Sequence, residues 1–424
     1  MSDIRFEGWL HRSGTGGVYQ DSAGNVGIAS TQPQTRLDIG NGGFQVGPTG
    51  IATVTTINTT NIINATPLTN RNLMINGAMN VAQRGTSSTS TTGGYHTVDR
   101  FRYAIGGYDE AATHAQVDVA SGTDPYKLGF RKAFKVTNGN QTSGVGSNDY
   151  IQLDYYVEAQ DLANSGWDIT NPNSFLTFSF WMKSSVSQFF TFAIRCKDGT
   201  EHVINFKTPV LSADTWTKVT KTIPGNSNLT VNNDNGQGFQ IMFFPFLGTA
   251  YTTVGLAEDT WSSWASSKHG VPNTSTWWTT NDATWEITGL QLELGSVATP
   301  FEHRSYGDEL SRCARYYQKI AEGNQKAIAI AYGYNGTYLD WVLHNPMGPM
   351  RTNPSLDQVN GTGYYNYYNS SQGGLLLNSN FIIEHGQICQ SNVYFDPEGS
   401  VNAGQSGYLK TNNAACYLAV QAEL

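Results

Sequence analysis

The chain lacks the long apolar runs that mark exported or membrane-spanning proteins. No window approaches the roughly 18 uninterrupted apolar residues of a membrane helix, and the first residues, MSDIRFEGWLHRSG, contain no apolar core of signal-peptide length. We therefore expect a protein that is made in a cytoplasm, stays soluble and does not insert into a membrane.

Cysteine is scarce as well. The 424 residues include only four cysteines, which are widely spaced, form no CxxC motif and are too few to cross-link a chain of this length. None of the 8 histidines falls at metal-ligand spacing with a cysteine or a second histidine. We expect free buried thiols, no metal site and no cofactor. The cysteines are Cys196, Cys313, Cys389 and Cys416.

Positive charge is also limited. Charged residues make up 14% of the chain, and the formal net charge is −8. Nucleic-acid affinity depends on lysine and arginine side chains that neutralise phosphates and release counterions, so this balance predicts no nucleic-acid partner. Neutral and weakly polar ligands remain open.

Motifs of known catalytic chemistry are missing. The sequence contains no GxSxG, no HExxH, no P-loop and no GxGxxG between a strand and a helix. Carboxylate pairs such as Asp149 and Asp154 could in principle hydrolyse glycosides, but any acidic β protein contains such pairs. We expect a protein that is not an enzyme.

What the chain does contain is glycine, serine, threonine, asparagine and aromatic residues. It has 45 glycines and 22 tyrosines, and it lacks long runs of the alanine, leucine, glutamate and lysine that favour helices. Short strands joined by turns suit this composition. We therefore predict a mainly β fold.

Strands with one apolar face dominate residues 71–304. In DYIQLDYYVE, the side chains of Ile151, Leu153 and Tyr155 share one face, and FLTFSFWMK, from residue 175, repeats the alternation. Long polar loops separate such segments. The pattern predicts a two-sheet antiparallel sandwich.

The segment WEITGLQLELG, residues 285–295, changes phase. Its first apolar residues stand at odd-numbered positions and its later leucines at even-numbered positions. One extra residue between them is therefore needed to keep both groups on the core face. A bulge at Gly289 supplies that residue. Gln291 and Glu293 then point away from the leucines, toward solvent or a neighbouring chain.

One segment has a clear helical period. In residues 305–322, five apolar side chains follow the i, i+3, i+4, i+7, i+10 spacing. Ser305 or Asp308 can cap this connector helix and Gly323 can end it. Alternation resumes afterwards, which predicts a smaller β domain at residues 323–424. The five side chains are Leu310, Cys313, Ala314, Tyr317 and Ile320.

Residues 1–70 differ from the rest. Short apolar pairs alternate with glycine, proline and asparagine, and from Ile51 the apolar residues recur at every third position, through Val54 and Ile57. So little apolar surface hardly offsets the ordering entropy of a single chain. Two alternatives stay open: the segment is disordered, or identical copies intertwine along it.

Two aromatic-rich loops are the candidate binding sites. One begins at residue 261 and carries four tryptophans, and the other begins at residue 361 and carries four tyrosines. Flat rings can stack on sugars, while serine and asparagine side chains bond to hydroxyls. Alternatively, two of the four tryptophans fill the sandwich core and the tyrosines line a subunit contact. The candidates are Trp261, Trp264, Trp277, Trp278, Tyr364, Tyr365, Tyr367 and Tyr368.

The run WEITGLQLELGSVATPFEHRSYGDELSRCARYYQK, residues 285–319, closely resembles the tail-fibre and receptor-binding proteins of tailed bacteriophages. In that family, an ITGVQLE.G..ATPFE.R....EL..C.RYY.K pattern ends a carbohydrate-binding-like jelly roll and begins a short helix. NLMINGAMNVAQRGTS and DRFRY look like the start of the same domain, so the resemblance covers roughly residues 71–320. GNVGIASTQPQTRLDI, from residue 24, is similar to fibre segments, several from phages of marine cyanobacteria.

The resemblance implies a homotrimeric fibre of the virion tail, assembled in the host cytoplasm. Its N-terminal segment, residues 1–70, would attach to other tail proteins and form an intertwined shaft. The jelly-roll domain (residues 71–304) and a C-terminal β-sandwich tip (323–424) would meet host polysaccharide or lipopolysaccharide. The expected contacts between copies are Ile51, Val54 and Ile57 in the shaft and Leu310, Cys313 and Tyr317 on the helix, facing the threefold axis.

The sequence also departs from relatives that degrade polysaccharides. It shows no C-terminal self-cleaving chaperone domain and no repetitive β-helix. We therefore favour a non-catalytic adhesin. A glycan-depolymerising tailspike and a purely structural tail or capsid appendage remain as alternatives.

Overall fold

The computed structural model describes residues 8–10, 17–28, 37–39, 44–46, 52–54, 70–345, 347–359, 361–371, 373–377, 381–388, 390–395 and 400–424. The chain divides into two compact units, Met1–Leu68 and Thr69–Leu424. Strands dominate the described residues, nearly all of them pair antiparallel, and the helices are few and short. The prediction of a mainly β fold is confirmed.

The first unit contains one sheet of short strands. These are β1 (Gly8–Leu10), β2 (Gly17–Gln20), β3 (Val26–Ile28), β4 (Leu37–Ile39), β5 (Phe44–Val46) and β6 (Ala52–Val54). They pair in chain order, and only β3 and β4 pair parallel among them. Of the expected copy contacts, Val54 ends β6, whereas Ile51 and Ile57 lie outside the described residues. Intertwining of copies along this segment stays a prediction.

The second unit begins with a large antiparallel sandwich. Its strands are β7 (Ser87–Ser88), β8 (Phe101–Gly106), β9 (Thr113–Asp118), β10 (Lys132–Thr137), β11 (Tyr150–Glu158), β12 (Phe175–Ser184), β13 (Thr191–Cys196), β14 (His202–Lys207), β15 (Thr217–Pro224), β16 (Gln237–Leu247), β17 (Trp261–Ser263) and β18 (Thr284–Leu294). Sheet I has the six-stranded order β15-β12-β18-β10-β9-β7, and sheet II has the six-stranded order β17-β14-β13-β16-β11-β8. The predicted two-sheet sandwich is confirmed.

Only short helices interrupt these strands. They are α1 (Asp124–Lys127), α2 (Ala159–Ala163) and α3 (Thr276–Thr279), with 3-10 turns at Thr249–Tyr251 and Ser266–Lys268.

The inner faces of the two sheets form one large hydrophobic core. Ile151, Leu153 and Tyr155 on β11, with Leu176 and Phe178 on β12, are all fully buried in it. Each such side chain contributes about 1.5–3 kcal/mol relative to an exposed one, so the inner faces supply the main driving force for folding. The predicted alternation is confirmed.

Strand β18 contains the predicted bulge. Its pairing with β12 shifts register between Ser179 and Trp181, which accommodates the extra residue at Gly289, where φ is +68°. As a result, Ile287 and Leu292, on opposite sides of the bulge, lie in the same core.

The prediction for the other face of β18 was wrong. Gln291 and Glu293 do point away from the leucines, but both are buried, because the following segment of the same chain covers them. The Thr299 backbone N–H donates to the Glu293 carboxylate at 2.8 Å, and the Glu302 N–H donates to the Gln291 side-chain oxygen at 2.7 Å. Alternation indicates a face but does not show what covers it.

We expect Gly289→Ala to destabilise the sandwich by about 1–3 kcal/mol. A Cβ at this positive φ would lie 2.7 Å from the Phe130 ring, so the substitution adds a clash to backbone strain. Denaturant unfolding followed by tryptophan fluorescence measures the loss. Gly122→Ala is the matched control, because Gly122 has a φ of +85° but nothing within 4 Å of an added Cβ. Equal losses for the two variants would contradict the role of the Phe130 contact.

The connector helix is shorter than predicted. Helix α4 spans Tyr306–Ala314, and the Ser305 hydroxyl caps it by accepting from the Asp308 N–H at 3.2 Å. Instead of continuing to residue 322, the chain enters strand β19 (Tyr317–Glu322), which pairs with residues 417–421. Helical spacing within one window cannot reveal a strand partner that lies far along the chain.

Residues 317–424 form two more antiparallel sheets. Their strands are β19, β20 (Ala327–Gly333), β21 (Leu339–His344), β22 (Ser355–Gln358), β23 (Tyr365–Asn369), β24 (Gly373–Leu377), β25 (Ile382–Gly386), β26 (Gln390–Phe395), β27 (Ser406–Thr411) and β28 (Tyr417–Gln421). Sheet III has the three-stranded order β19-β28-β22, and sheet IV has the seven-stranded order β24-β23-β27-β20-β21-β26-β25. The two sheets share a second core, in which Trp341 and Leu409 of sheet IV join Leu418 and Val420 of sheet III.

Buried ion pairs connect the last residues to the large sandwich. The Glu423 carboxylate accepts from Arg84 at 3.1 Å and from Arg100 at 2.9 Å, and the exposed fractions of the Arg84, Arg100 and Glu423 side chains are only 7%, 1% and 9%. The two guanidiniums also lie over aromatic rings, Arg84 over Tyr317 at 3.7 Å and Arg100 over Tyr316 at 3.3 Å.

This packing corrects the expected copy contacts on the helix. Cys313 is fully buried inside its own chain, and Tyr317 lies on β19 under the Arg84 guanidinium rather than on a helical stripe. Leu310 is half-buried. The apolar stripe at 310–317 therefore packs within one chain, because the following strand turns it inward.

Within the described part of the chain, Cys196, Cys313 and Cys416 are free and buried, as predicted, whereas Cys389 lies outside it. No helix among the described residues has the length and apolarity needed to span a membrane. The same residues contain no group of three or more histidine, cysteine, aspartate or glutamate side chains placed to hold a metal ion.

Candidate functional site

The outer face of sheet II carries an unusual mixture of polar and aromatic side chains. Strand register aligns Arg102 with Asp154, and Asp154 with Met242 on the next strand. These positions alternate with the core residues of the same strands, so they face away from the sandwich core. The sheet thus presents one row of side chains in which a fully buried carboxylate lies between a guanidinium and an apolar patch.

Asp154 is the centre of a hydrogen-bonded network. Its carboxylate accepts from Arg102 Nη1 at 3.1 Å, from Gln152 Nε2 at 2.6 Å and from Gln240 Nε2 at 3.2 Å. Gln240 Nε2 also donates to the Tyr156 hydroxyl at 3.2 Å. Burial raises the pKa of the Asp154 carboxyl, and these donors counteract part of that rise. The network fixes the orientation of Arg102 and Gln152, which remain partly exposed.

Two glycines make room for the exposed side chains of this row. A Cβ at Gly93 would lie 2.7 Å from Arg102 Nη2. A Cβ at Gly106 would lie 2.5 Å from the Tyr150 ring, which therefore lies over its cross-strand glycine neighbour. Arg102 and Tyr150 can occupy these positions because neither glycine has a side chain.

The loop between β16 and β18 folds back over half of this outer face. Together with Tyr150, its residues Tyr251 and Trp264 pack on a small hydrophobic cluster that includes Met242 and Phe244. The His269 N–H donates to the Tyr251 carbonyl at 3.0 Å, which ties the two ends of the loop together.

A cleft of about 260 Å³ remains between this loop and the β8 edge of the sheet. We name it the outer-face cleft. Rings follow one another along its wall: Tyr150 and Tyr251 meet edge to face with centroids 5.4 Å apart, and Tyr251 and His269 do so at 5.6 Å. Its lining residues are Arg102, Ala104, Tyr150, Gln152, Leu247, Tyr251 and His269.

His269 contributes a neutral imidazole to the cleft. Burial lowers the pKa of His269, so the ring is uncharged at neutral pH. Its Nδ1 lies 2.6 Å from the Ser266 carbonyl, which can only accept, so Nδ1 carries the hydrogen and donates. The other ring nitrogen is then an acceptor.

Trp264 lies next to this wall. Its ring meets the His269 ring edge to face at 4.6 Å, and the Arg195 guanidinium stacks on it at 3.8 Å. Glu201 holds Arg195 through two hydrogen bonds, one of them from Nε at 2.9 Å. This stacked pair extends the aromatic and cationic surface beyond the cleft.

The arrangement suits a ligand with both apolar faces and many hydroxyl groups. Aromatic rings offer flat apolar contact, while a guanidinium, an amide and an imidazole offer fixed donors and acceptors. Because Asp154 holds Arg102 and Gln152 in place before a ligand arrives, binding costs little side-chain entropy.

The other predicted tryptophans do not reach the surface. Trp277 and Trp278 lie on α3 with no exposed area, and Trp261 is nearly buried, its indole N–H donating to the Pro224 carbonyl at 2.8 Å. These three are core residues, which corrects the prediction that they contact a ligand. The alternative, which assigned two of the four tryptophans to the sandwich core, thus holds for three of them, and Trp264 alone lies beside the cleft.

The four tyrosines divide in a similar way. Tyr365 and Tyr367 are fully buried, and their hydroxyls donate to backbone carbonyls, so they are also corrected from ligand contacts to core residues. Tyr364 is half-buried, and Tyr368 is exposed on the outer face of sheet IV. The structure does not bring any of them to the outer-face cleft.

Sequence reasoning missed most of the cleft. Arg102, Gln152, Tyr150 and Tyr251 were not singled out, because they occupy the polar positions of alternating strands or a loop without repeats. A usable signal was present in DYIQLDYYVE, where Gln152 and Asp154 alternate with core residues, so that an amide and a carboxylate lie side by side on the outer face of one strand.

No protein-family model matches the chain, and no curated protein sequence matches it. Among solved structures, the chain is distantly similar to the enzymatically active domain of tailspike protein 4 of bacteriophage CBA120, with 10% identity over 53% of this chain and 21% of that chain, at a TM-score of 0.29. This chain therefore spans about a fifth of that tailspike chain.

Two further structures show similarity of the same order. A putative sugar binding protein from Bacteroides thetaiotaomicron has 12% identity over 53% of this chain and 100% of its own, at a TM-score of 0.27. The N-terminal cellulose-binding domain of the Cellulomonas fimi β-1,4-glucanase C has 11% identity over 52% of this chain and 99% of its own, at a TM-score of 0.24. Scores this low assign no function, so the function has to be inferred from the residues of the cleft.

Proposed function

We propose that this protein binds a surface saccharide in the outer-face cleft, without cleaving it, as the receptor-binding part of a bacteriophage tail fibre. The observation that carries the saccharide proposal is one open cleft in which Tyr150 and Tyr251 face polar groups that Asp154 holds in place. Rings for the sugar faces and rigid donors for the hydroxyls are the two requirements of sugar recognition.

The size of the cleft favours one sugar unit of a longer polymer. Its volume of about 260 Å³ lies just below the range of about 300–1,000 Å³ typical of sites that enclose a drug-sized ligand. A single ring fits such a space, and the open sides leave room for the neighbouring units of a polysaccharide.

The chemistry of the lining supports binding without hydrolysis. Glycoside hydrolysis uses two carboxyl groups that flank the scissile bond. The described residues that line the cleft include none, and Asp154 beneath them is committed to three donors. The carboxylate therefore has a positioning role in this proposal.

The tail-fibre part of the proposal is supported by the sequence resemblance at residues 285–319. In this proposal the protein belongs to the virion tail, where it is a homotrimer that holds other tail proteins through its N-terminal segment and binds host polysaccharide or lipopolysaccharide. One small cleft gives weak binding, and several copies on one virion raise the avidity by about 10²–10⁴-fold.

We expect Tyr251→Ala to weaken saccharide binding at least about tenfold, or about 1.4 kcal/mol. The substitution removes the ring that covers one side of the cleft, while Tyr251→Phe should retain most of the affinity. An array of bacterial surface glycans identifies a ligand for the wild-type protein, and calorimetric titration with that ligand measures each variant. Tyr306→Ala, which removes an exposed ring on α4, is the matched control and should bind like the wild type.

Two outcomes would contradict the proposal. If Tyr251→Ala and Arg102→Ala bound the array ligand as well as Tyr306→Ala does, the cleft would not be the binding site. If the intact protein released reducing sugar ends from its ligand, and Asp154→Asn abolished this release, the depolymerase alternative would replace the adhesin.

A further inference from the structure

The outer face of sheet IV carries two exposed tyrosines on neighbouring strands. Register pairs Tyr368 of β23 with Tyr408 of β27, and the two residues are 41% and 45% exposed. Single exposed apolar residues need no explanation, whereas adjacent ones can mark a surface that binds a ligand.

The two rings lie side by side rather than face to face. Their planes differ by 26° and their centroids are 5.7 Å apart, whereas the planes of rings in full face contact lie about 3.5–4 Å apart. Gly374 of β24 is the other cross-strand neighbour of Tyr368, and a Cβ there would lie 2.9 Å from Tyr368 Cε2. The Tyr368 ring therefore leans over β24, and part of each ring face stays open to a ligand.

A positive charge lies beside the rings. Lys410, on the same strand as Tyr408, places its Nζ 4.9 Å from the Tyr368 centroid and 5.9 Å from the Tyr408 centroid. Nζ donates to Gln325 Oε1 at 2.6 Å, and the lysines that form ion pairs in the described part of the chain do not include Lys410. An ammonium group has three donors, so further donors remain for a ligand.

A buried amide oxygen lies at the same place. Asn366 of β23 pairs with Lys410 and is only 9% exposed, and its Oδ1 has no hydrogen-bond partner among the described residues. A Cβ at Gly374 would lie 3.0 Å from this oxygen. A buried acceptor without a donor is unfavourable, and a hydroxyl that enters beside the glycine would supply the missing hydrogen.

The same combination of groups forms part of the outer-face cleft on sheet II. In both places a tyrosine lies over its cross-strand glycine, next to a cation and a buried polar side chain. Because the two groups lie on different sheets and in unrelated segments, each is an independent instance of the arrangement. The members are Tyr150, Gly106, Arg102 and Asp154 in the cleft, and Tyr368, Gly374, Lys410 and Asn366 on sheet IV.

The two places differ in charge. In the outer-face cleft, Asp154 forms an ion pair with Arg102 at 3.1 Å, so the cation is neutralised. On sheet IV the corresponding residue, Asn366, is neutral and leaves the charge of Lys410 for a ligand. One positive charge matches the single negative charge of a carboxylate better than the charge of about −1.5 to −2 on a phosphate monoester.

The surface beyond the rings leaves room for a polymer. Ile330 of β20 is the next cross-strand neighbour of Tyr408, and it lines an open cleft of about 580 Å³. Further units of a polysaccharide can therefore continue past the two rings.

We propose that Tyr368, Tyr408, Lys410 and Asn366 form a second saccharide site, which binds a sugar unit that carries a carboxylate, such as a uronic acid. The rings contact the apolar face of the sugar, Lys410 binds the carboxylate, and Asn366 accepts from a hydroxyl. This inference rests on the proposed function, because it extends saccharide binding from the outer-face cleft to sheet IV. Two sites on one chain would also raise the avidity for a polymer that contains acidic and neutral units.

The first test removes a ring. The full-length protein is titrated by calorimetry with trisaccharides of galacturonate, mannuronate and glucuronate, and the wild type should bind at least one of them. Tyr368→Ala should weaken that binding at least about tenfold, whereas Tyr368→Phe, which keeps the ring, should bind like the wild type. Tyr306→Ala, which removes an exposed ring on α4, is the control. A wild-type protein that binds none of the trisaccharides, or a Tyr368→Ala variant that binds like Tyr306→Ala, would overturn the proposal.

The second test concerns the charge. Lys410→Gln should weaken binding of the uronate about threefold to fivefold and leave binding of its uncharged methyl ester unchanged, whereas Lys410→Arg should retain the preference for the uronate. Equal effects of Lys410→Gln on the acid and on the ester would show that Lys410 does not bind the carboxylate. Tighter binding of galactose 6-phosphate than of galacturonate would contradict the assignment to a carboxylate.

A last comparison separates this inference from the proposed function. Tyr251→Ala, in the outer-face cleft, should leave uronate binding unchanged. If it abolished uronate binding while Tyr368→Ala did not, the acidic unit would bind in the outer-face cleft and the site on sheet IV would be refuted alone. If Tyr368→Ala lost the uronate while Tyr251→Ala and Arg102→Ala kept the array ligand, the site on sheet IV would stand and the outer-face cleft would be refuted.

Discussion

Replacing Glu423 by glutamine is expected to destabilise the second unit by about 3–5 kcal/mol. The substitution keeps the shape of the side chain and removes only its charge. It leaves the guanidiniums of Arg84 and Arg100 buried next to each other without the carboxylate that lies between them. A buried charge that loses its partner costs far more than an exposed one, because water cannot replace the partner.

The surroundings of Glu423 make this cost hard to avoid. Arg100 is fully buried, and its remaining contacts are the Tyr156 carbonyl at 2.7 Å and the faces of Tyr316 and Tyr155. Neither a carbonyl nor a ring neutralises a full positive charge. Because Arg100 precedes β8 and Glu423 follows β28, the loss should separate the end of the chain from the large sandwich.

Denaturant unfolding followed by tryptophan fluorescence would measure the effect, and hydrogen exchange at residues 417–424 would locate it. The control is Asp124→Asn, the same carboxylate-to-amide change in the exposed Lys127–Asp124 pair. Exposed pairs contribute about 0–1 kcal/mol, so this variant should unfold almost like the wild type. Similar midpoints for Glu423→Gln and Asp124→Asn would show that the buried network is not what holds this end of the chain.

Much of the sandwich could be predicted from the sequence, because the patterns that identify its strands lie within short stretches of the chain. The alternation of Ile151, Leu153 and Tyr155 identifies the buried face of β11, and the change of phase at Gly289 identifies the bulge in β18. Both follow from the period of a strand, which a short window contains in full. What a window does not contain is the covering layer, which is why Gln291 and Glu293 were assigned to solvent or to a neighbouring chain.

The outer-face cleft was not predictable for the same reason. Arg102, Gln152 and Tyr251 meet only when β8, β11 and the loop after β16 come together. Aromatic clusters in the sequence were a poor guide, because a tryptophan such as Trp277 fills a core as readily as it binds a sugar. Trp264 lies near the cleft, where the Arg195 guanidinium stacks on its ring.

The end of the connector helix shows a further limit. Up to Ala314, local spacing and the Ser305 cap agree with the structure. Beyond it, the same spacing continues through Tyr317, but pairing with β28 turns these residues into a strand. A partner that lies far along the chain thus outweighs a local preference, which is weak in any single helix.

His114→Phe is expected to remove a strong acid sensitivity of the large sandwich. His114 lies on β9 with no exposed area, and neither ring nitrogen has a hydrogen-bond partner among the described residues. Its ring stacks on Tyr103 with centroids 4.1 Å apart and lies 5.6 Å from the His96 ring. Burial, and then the nearby His96, lower the pKa of His114 from 6.5 to about 3.

The direction of the pH effect follows from where the proton binds. Below pH 6.5 the unfolded chain takes up a proton at this histidine, whereas the folded protein does not until the pH approaches 3. Acid therefore favours the unfolded state across that window. At pH 5 the cost is about 2 kcal/mol, and it reaches about 4 kcal/mol at pH 3. Phenylalanine fits an aromatic stack of this kind and binds no proton.

The contribution of His114 is isolated by comparing the stability of the wild type with that of His114→Phe at two pH values. Burial raises the pKa of Asp99 to about 6, so its protonation stabilises the folded state on acidification and opposes the effect of His114. Both the wild type and His114→Phe contain Asp99, so its contribution cancels in their difference. Urea midpoints at pH 7.5 and pH 5 should show the advantage of His114→Phe growing by about 2 kcal/mol on acidification. If the two proteins lose stability in parallel, His114 takes up its proton in the folded state as easily as in the unfolded chain, and the buried aromatic stack around it opens to water.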